Sequence, residues 1–173
     1  MQSKTVQSNA FKTLIEALKE ILNDANLEFD KDGLTIMAMD TSHTVLVYLK
    51  LDSFKFEYYH CEKKIIIGVS MLNFFKLIKT MNNNDTLTLF IEEENTNVLG
   101  IRIENGDKNS ITVYKLNLMD LNEEDLKLPP ASFDSVITMP SADFQKYCRD
   151  MHVIAETVEI KSVGEQIILS CKG

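Results

Sequence analysis

The sequence is poor in cysteine: Cys61, Cys148 and Cys171 are the only three in 173 residues. They stand far apart, with no CxxC pair and no histidine at zinc-ligand spacing, which excludes a disulfide framework and a zinc site and predicts reduced thiols, as inside a cell. Nowhere do about 18 apolar residues run together, so no segment reads as a membrane-spanning helix. The opening Met1-Gln2-Ser3-Lys4-Thr5 has neither the charged nor the apolar region of a signal peptide. Positive charge is also scarce, 18 Lys and Arg against 26 Asp and Glu, for a formal net charge of −8. That balance ordinarily counts against nucleic acid, whose binding is driven by local cation excess. A basic patch can nevertheless stand on an acidic protein, so placement of the cations decides.

With 45% hydrophobic residues, the chain can bury a core of one large domain, or one and a half small ones. Three stretches carry helical periodicity. Phe11, Leu14, Ile15, Leu18, Leu22 and Ala25 form one apolar stripe, and Met71, Phe74, Phe75, Ile78 and Met81 another. The third comes after Met139-Pro140-Ser141, where Ser141 is placed to cap the first turn and Phe144, Cys148 and Met151 to be buried. Residues 34–39, 45–49, 65–67, 87–91, 98–103 and 111–116 are short, β-branched and apolar or alternating, and read as strands. Turn signals at 30–33, 82–85 and 105–109 separate them. The class is α+β, with many antiparallel strands and few helices.

Residues 118–134, charged and holding two prolines, have no clean period; they read as a connector between a domain at 1–117 and a second at 135–173. The second domain copies parts of the first. Residues 65–74 match 135–144 as a strand entering a helix, and Phe74, Lys76 and Lys79 fall on Phe144, Lys146 and Arg149. Glu28 and Gly33 fall in the same way on Glu159 and Gly164. Together the matches favour a βαβ-type unit used three times over two domains.

The cations share a geometry. Lys76 and Lys79 sit opposite the Phe75/Ile78 face, with no acid from Ser70 to Met81. Lys146 and Arg149 sit opposite the Phe144/Met151 face. Lys12 and Lys19 share a polar face with Glu16 between them. One such helix is an ordinary solvated face; the recurrence on two helices favours a surface that tracks phosphates. Other chemistry-bearing groups read as structural. Asp40, Ser42 and His43 are local, whereas a nucleophile and its base usually meet from distant segments. Cys148 and His152, four apart on one helix, read as a half-buried thiol beside an exposed imidazole. Glu92-Glu93-Glu94 reads as a solvated hairpin turn rather than a metal site. A small hydrolase would need a nucleophile, base and orienting group, and no such set stands out.

With the segments Leu14-Ile-Glu-Ala-Leu-Lys-Glu20, Met39-Asp-Thr-Ser-His43, Leu118-Met-Asp-Leu121, Leu126-Lys-Leu-Pro129, Met139-Pro-Ser141 and Cys148-Arg-Asp150, the chain resembles the proliferating cell nuclear antigen family of DNA sliding clamps over its whole length. The resemblance implies the clamp fold: antiparallel sheets outside, helices lining one face, two like domains joined by the connector, and subunits joined head to tail as a homotrimeric ring. It implies a processivity factor, with no catalytic residues and no cofactor, that encircles duplex DNA in the nucleus or a viral replication compartment. It implies as partners a DNA polymerase, a clamp loader and other replication and repair proteins, docked through a short peptide motif. Carried over residue by residue, the DNA-facing cations are Lys12, Lys19, Lys76, Lys79, Lys146 and Arg149, and Thr13 stands where a second lysine is common. The peptide pocket falls on Met39, His43, Thr44, Leu121, Leu126, Leu128 and Pro129, with Thr44 where the family is usually apolar. The alternative is a clamp-like adaptor that binds proteins without encircling DNA. The second domain stops partway through its fold, so the expectation is a C-terminally truncated chain, monomeric or irregularly associated by itself.

Overall fold

The computed structural model describes residues 1–122, 126, 128, 130 and 132–173. The chain forms two units, Met1–Leu128 and Pro129–Gly173.

In the first unit, β1 (Gln2–Thr5) leads into α1 (Ser8–Lys19), then β2 (Asp24–Asp30), β3 (Gly33–Met39) and β4 (Leu46–Asp52). A 3-10 turn (Ser53–Lys55) and a short β5 (Tyr58–His60) intervene. The order then repeats with β6 (Ile65–Ser70), α2 (Met71–Ile78), β7 (Thr86–Glu92), β8 (Asn95–Asn105) and β9 (Ser110–Asn117). All pairings are antiparallel, in two sheets ordered β5-β1-β7-β8-β9 and β4-β3-β2-β6. Each repeat therefore lends its first strand to the other's sheet: β1 pairs with β7, and β6 with β2.

Alternation along the strands decides which side is buried. Ala25, Leu27 and Phe29 of β2 meet Leu34 and Ile36 of β3 and Ile67 and Val69 of β6 in one core. From α1, Phe11, Ile15 and Leu18 join it, and from α2, Met71, Phe74 and Ile78. The larger of these side chains contribute about 1.5–3 kcal/mol each when fully buried. Gly33 ends the β2–β3 hairpin at φ 145, a conformation in which a side chain is strained.

In the second unit, α3 (Ser141–His152) precedes a hairpin of β10 (Val158–Val163) and β11 (Gln166–Cys171), which turns at Gly164 with φ 59. The two hairpins differ in register: Gly33 is paired with Asp30 at the start of β3, whereas Gly164 stands in the turn after the Val163↔Gln166 pair, so Glu159 and Gly164 do not hold the hairpin positions of Glu28 and Gly33. Three other expectations are corrected by this unit. Residues 135–140 form no strand. Ser141 is the first helical residue rather than the cap; Pro140 takes the cap position, its carbonyl accepting the N–H groups of Asp143 and Phe144. Phe144 and Cys148 are exposed and Met151 is half-buried, because one helix on a two-stranded hairpin makes too thin a layer to enclose an apolar face. No described residue of this unit is fully buried.

Candidate functional site

Two surfaces of the first unit gather the residues singled out by sequence. One is the pair α1 and α2. The apolar sides of both helices are buried, so the remaining faces point outward. Lys76 and Lys79 are exposed, with no ion-pair partner among the described residues. The cations of α1 are engaged instead. Lys12 Nζ donates to the Met81 carbonyl at 2.7 Å, while Lys19 pairs with Glu20 and lies 4.9 Å from the centre of the Phe75 ring. In the second unit, Lys146 and Arg149 are exposed on α3.

The other surface is a groove of about 760 Å³ on the outward face of the β2–β3–β6 sheet. Its origin is a splay in the hairpin. β2 and β3 pair from Leu27↔Ile36 to Asp30↔Gly33, beyond which residues 24–26 pair with β6 and residues 37–39 with β4. Asp24, Ala25 and Asn26 line the opening on the β2 side, and Met37, Ala38 and Met39 on the β3 side. Ile66 adds apolar surface, and Glu28 crosses to Lys64 at 2.9 Å.

The start of the connector forms a further wall. Leu118 N–H donates to Asn97 O at 2.9 Å and Met119 N–H to Gly68 O at 2.8 Å, which runs the chain along the free edge of β6. That approach needs glycine: a Cβ at Gly68 would stand 2.4 Å from the Met119 carbonyl oxygen and 2.8 Å from Leu121 Cγ. Leu121 and Leu126 then reach the groove.

Of the pocket residues taken from the sequence, Met39, Leu121 and Leu126 meet in this groove. His43, Thr44 and Leu128 are exposed and are not among its walls; Pro129 lies outside the described residues. Asp24, Asn26, Glu28, Thr35, Met37 and Ile66 went unnoticed, although the period of two along β2 and β3 already puts Asn26 and Glu28, and Thr35, Met37 and Met39, on one face.

Next to the groove, residues 40–45 are organised by one carboxylate. Asp40 accepts hydrogen bonds from the Ser42 hydroxyl, from the Thr44 and Val45 N–H groups at 2.8 Å each, and from Ser42 N–H at 3.3 Å. The Ser42 hydroxyl, then the backbone donors, hold its carboxyl far below the usual range. His43 N–H donates to the Asp40 carbonyl at 2.9 Å, and His43 itself adopts φ 54. The Asp40 side chain is therefore the organiser of a turn. Glu93 and Glu94 form the tip of the β7–β8 hairpin, between the paired Glu92 and Asn95.

Residues 1–126 match the family described as proliferating cell nuclear antigen, N-terminal domain, and residues 127–173 the corresponding C-terminal domain. The chain is 35% identical over 164 residues to a protein named "Probable DNA polymerase sliding clamp 1" from Paramecium bursaria Chlorella virus 1, covering 95% of this chain and 63% of that protein. It is 31% identical over 173 residues to the proliferating cell nuclear antigen of Chaetomium thermophilum, covering 100% of this chain and 66% of the relative. The chain thus spans slightly less than two thirds of the length of these curated relatives.

Proposed function

The chain belongs to the proliferating cell nuclear antigen family, and on that premise we propose that it is part of a DNA sliding clamp, a non-enzymatic processivity factor that holds a DNA polymerase on duplex DNA. The observation that carries this reading is the connector-walled groove, where Leu121 and Leu126 join Met39 above the splayed β2–β3 hairpin. Such a groove takes a short peptide whose apolar plug dominates binding, with the polar rim fixing its direction. Methionines suit the role, since their unbranched side chains adapt to differing plugs. Clients of this kind include the polymerase, a clamp loader and other replication or repair proteins.

DNA contact falls to the exposed cations Lys76 and Lys79 of α2, with Lys146 and Arg149 of α3 serving the second unit. Contact through ammonium and guanidinium groups on phosphates is independent of sequence and steep in salt. The same cations speak against an adaptor that never meets DNA. Assembly as a head-to-tail trimer, and action in the nucleus or a viral replication compartment, complete the proposal.

The test uses the complete polypeptide loaded on primed circular DNA with its polymerase. Replacing Lys76 and Lys79 by Ala lowers stimulation of synthesis while peptide affinity is kept, whereas Leu126→Ser lowers both. Stimulation unaltered by either change across a range of salt refutes the reading. Light scattering checks the trimer independently.

A further inference from the structure

We infer that Lys12 and Lys19 are positioning residues that fasten α1 to α2, and so set where Lys76 and Lys79 stand, rather than phosphate ligands themselves. The inference rests on the proposed DNA-facing role of this helix pair, but its evidence is the packing between the helices. At one end, Lys12 Nζ donates to the Met81 carbonyl at 2.7 Å, and Ser8 Oγ donates to the Asn82 carbonyl at 3.1 Å. Ser8 and Lys12 are one turn apart on α1, so a single face of that helix grips two consecutive carbonyls. Those carbonyls lie three and four residues beyond Ile78, the last residue of α2, with Met81 N–H bonded back to Ile78 O at 3.0 Å. The negative end of a helix favours a cation there.

At the other end, Lys19 lies over Phe75, 4.9 Å from the ring centre, and its side chain is only 16% exposed. An ammonium over an aromatic face is held by the ring quadrupole, and the stem packs as apolar surface. Between the two ends, the Phe11 and Phe74 rings meet edge to face at 6.1 Å. The start of α1 is thus tied to the segment just beyond α2, and the end of α1 to the middle of α2.

A phosphate could recruit Lys12 only by stripping the Met81 carbonyl of its donor, and Lys19 only by lifting it off the Phe75 face. Lys76 and Lys79 are exposed and give up no such contact. The four lysines therefore divide into two that hold and two that bind.

Two measurements on the full chain test this. The first is acylation by an N-hydroxysuccinimide ester of acetic acid, read site by site by mass spectrometry. Lys12 and Lys19 should react about tenfold or more slowly than Lys76 and Lys79, and Phe75→Leu should raise the rate at Lys19 while leaving Lys12 slow. Equal rates at all four lysines overturn the inference, as does a Lys19 rate indifferent to Phe75→Leu.

The second is binding to a fluorescent duplex over a range of salt. Lys12→Met and Lys19→Met should weaken binding several-fold with the slope of log K against log salt unchanged, and Lys12→Arg and Lys19→Arg should restore it. Lys76→Met or Lys79→Met should each reduce the slope by about 0.9, the signature of one lost phosphate contact. A slope reduced by that amount in Lys12→Met or Lys19→Met identifies those residues as phosphate ligands and overturns the inference. A parent chain with no salt-dependent duplex binding refutes the clamp reading instead, and the acylation rates still decide the fasteners. They decide equally if Lys12→Met fails to fold.

Discussion

Gly68→Ala is the most informative single change, because it acts on the groove through the connector alone. A methyl group there would meet the Met119 carbonyl oxygen at 2.4 Å and Leu121 Cγ at 2.8 Å, closer than such contacts tolerate. The β6 backbone is fixed by six pairs with β2, so the connector must give way. Giving way breaks the 2.8 Å bond from Met119 N–H to Gly68 O and uncovers part of Leu121. Losing that bond costs about 1 kcal/mol, and uncovering a half-buried leucine about 1 kcal/mol more. Together, about 2 kcal/mol corresponds to roughly a thirtyfold rise in opening of this contact. Native-state hydrogen exchange should show it as faster exchange at Met119, with the amide of buried Ile36 unchanged and the urea midpoint hardly moved. A lowered midpoint with Met119 exchange unaltered would mean that the alanine strains the sheet and the connector is not held at this edge.

Leu126→Ser removes an apolar wall and should weaken a docked peptide by about 2 kcal/mol or more in isothermal titration; Leu128→Ser, at an exposed position outside the groove, should matter less. Phe74→Ala opens a cavity at a fully buried site and should cost about 3–5 kcal/mol in urea unfolding. Asp40→Ala should lower the melting temperature at neutral pH, since the native carboxyl is held well below its unfolded value of about 4. A depressed native pKa stabilises fully above the unfolded value and progressively less as the pH falls toward the native one, so parent and variant should converge in acid. Tyr59→Phe removes a hydroxyl lying 2.7 Å from the Asp30 carbonyl and 2.6 Å from that of Gly33, and should cost about 1–2 kcal/mol by thermal unfolding.

Where apolar spacing was strong, the sequence revealed the element: α2 and the strands β3, β4 and β6 to β9 lie where their patterns put them. The stripe of α1 misled at its end. Leu22 and Ala25 continue the helical spacing and are indeed buried, but α1 ends at Lys19, and Ala25 opens the alternation Ala25, Leu27, Phe29 of a strand. Periodicity reports burial, and over two positions a helix and a strand leave the same mark. Strand β1 was invisible because its inward positions are Ser3 and Thr5, small polar residues buried without apolar alternation. Strands β10 and β11 were not singled out: β10 is exposed throughout and β11 is at most half-buried, although Val158, Glu159, Ile160 and Lys161 do alternate apolar and polar. The groove was half legible. Met39, Leu121 and Leu126 came from resemblance, whereas the splay that opens it lies in the pairing of two strands, which no local pattern encodes. Nor could spacing reveal that Lys12 and Lys19 are occupied within the fold.

The exchange of first strands between the two repeats has a consequence for synthesis on the ribosome. Residues 2–5 leave the exit tunnel well before their partners, residues 58–60 and 86–92. β2 likewise waits beside β3 for residues 65–70 before its second edge is filled. Pairings so distant along the chain close slowly, because a long loop must be ordered before any contact rewards it. The nascent first half therefore emerges with unsatisfied strand edges, a state in which extended chains stick to one another. Native pairing of the opening strand is a late event, and a nascent-chain folding assay should register it only after β7 has cleared the tunnel.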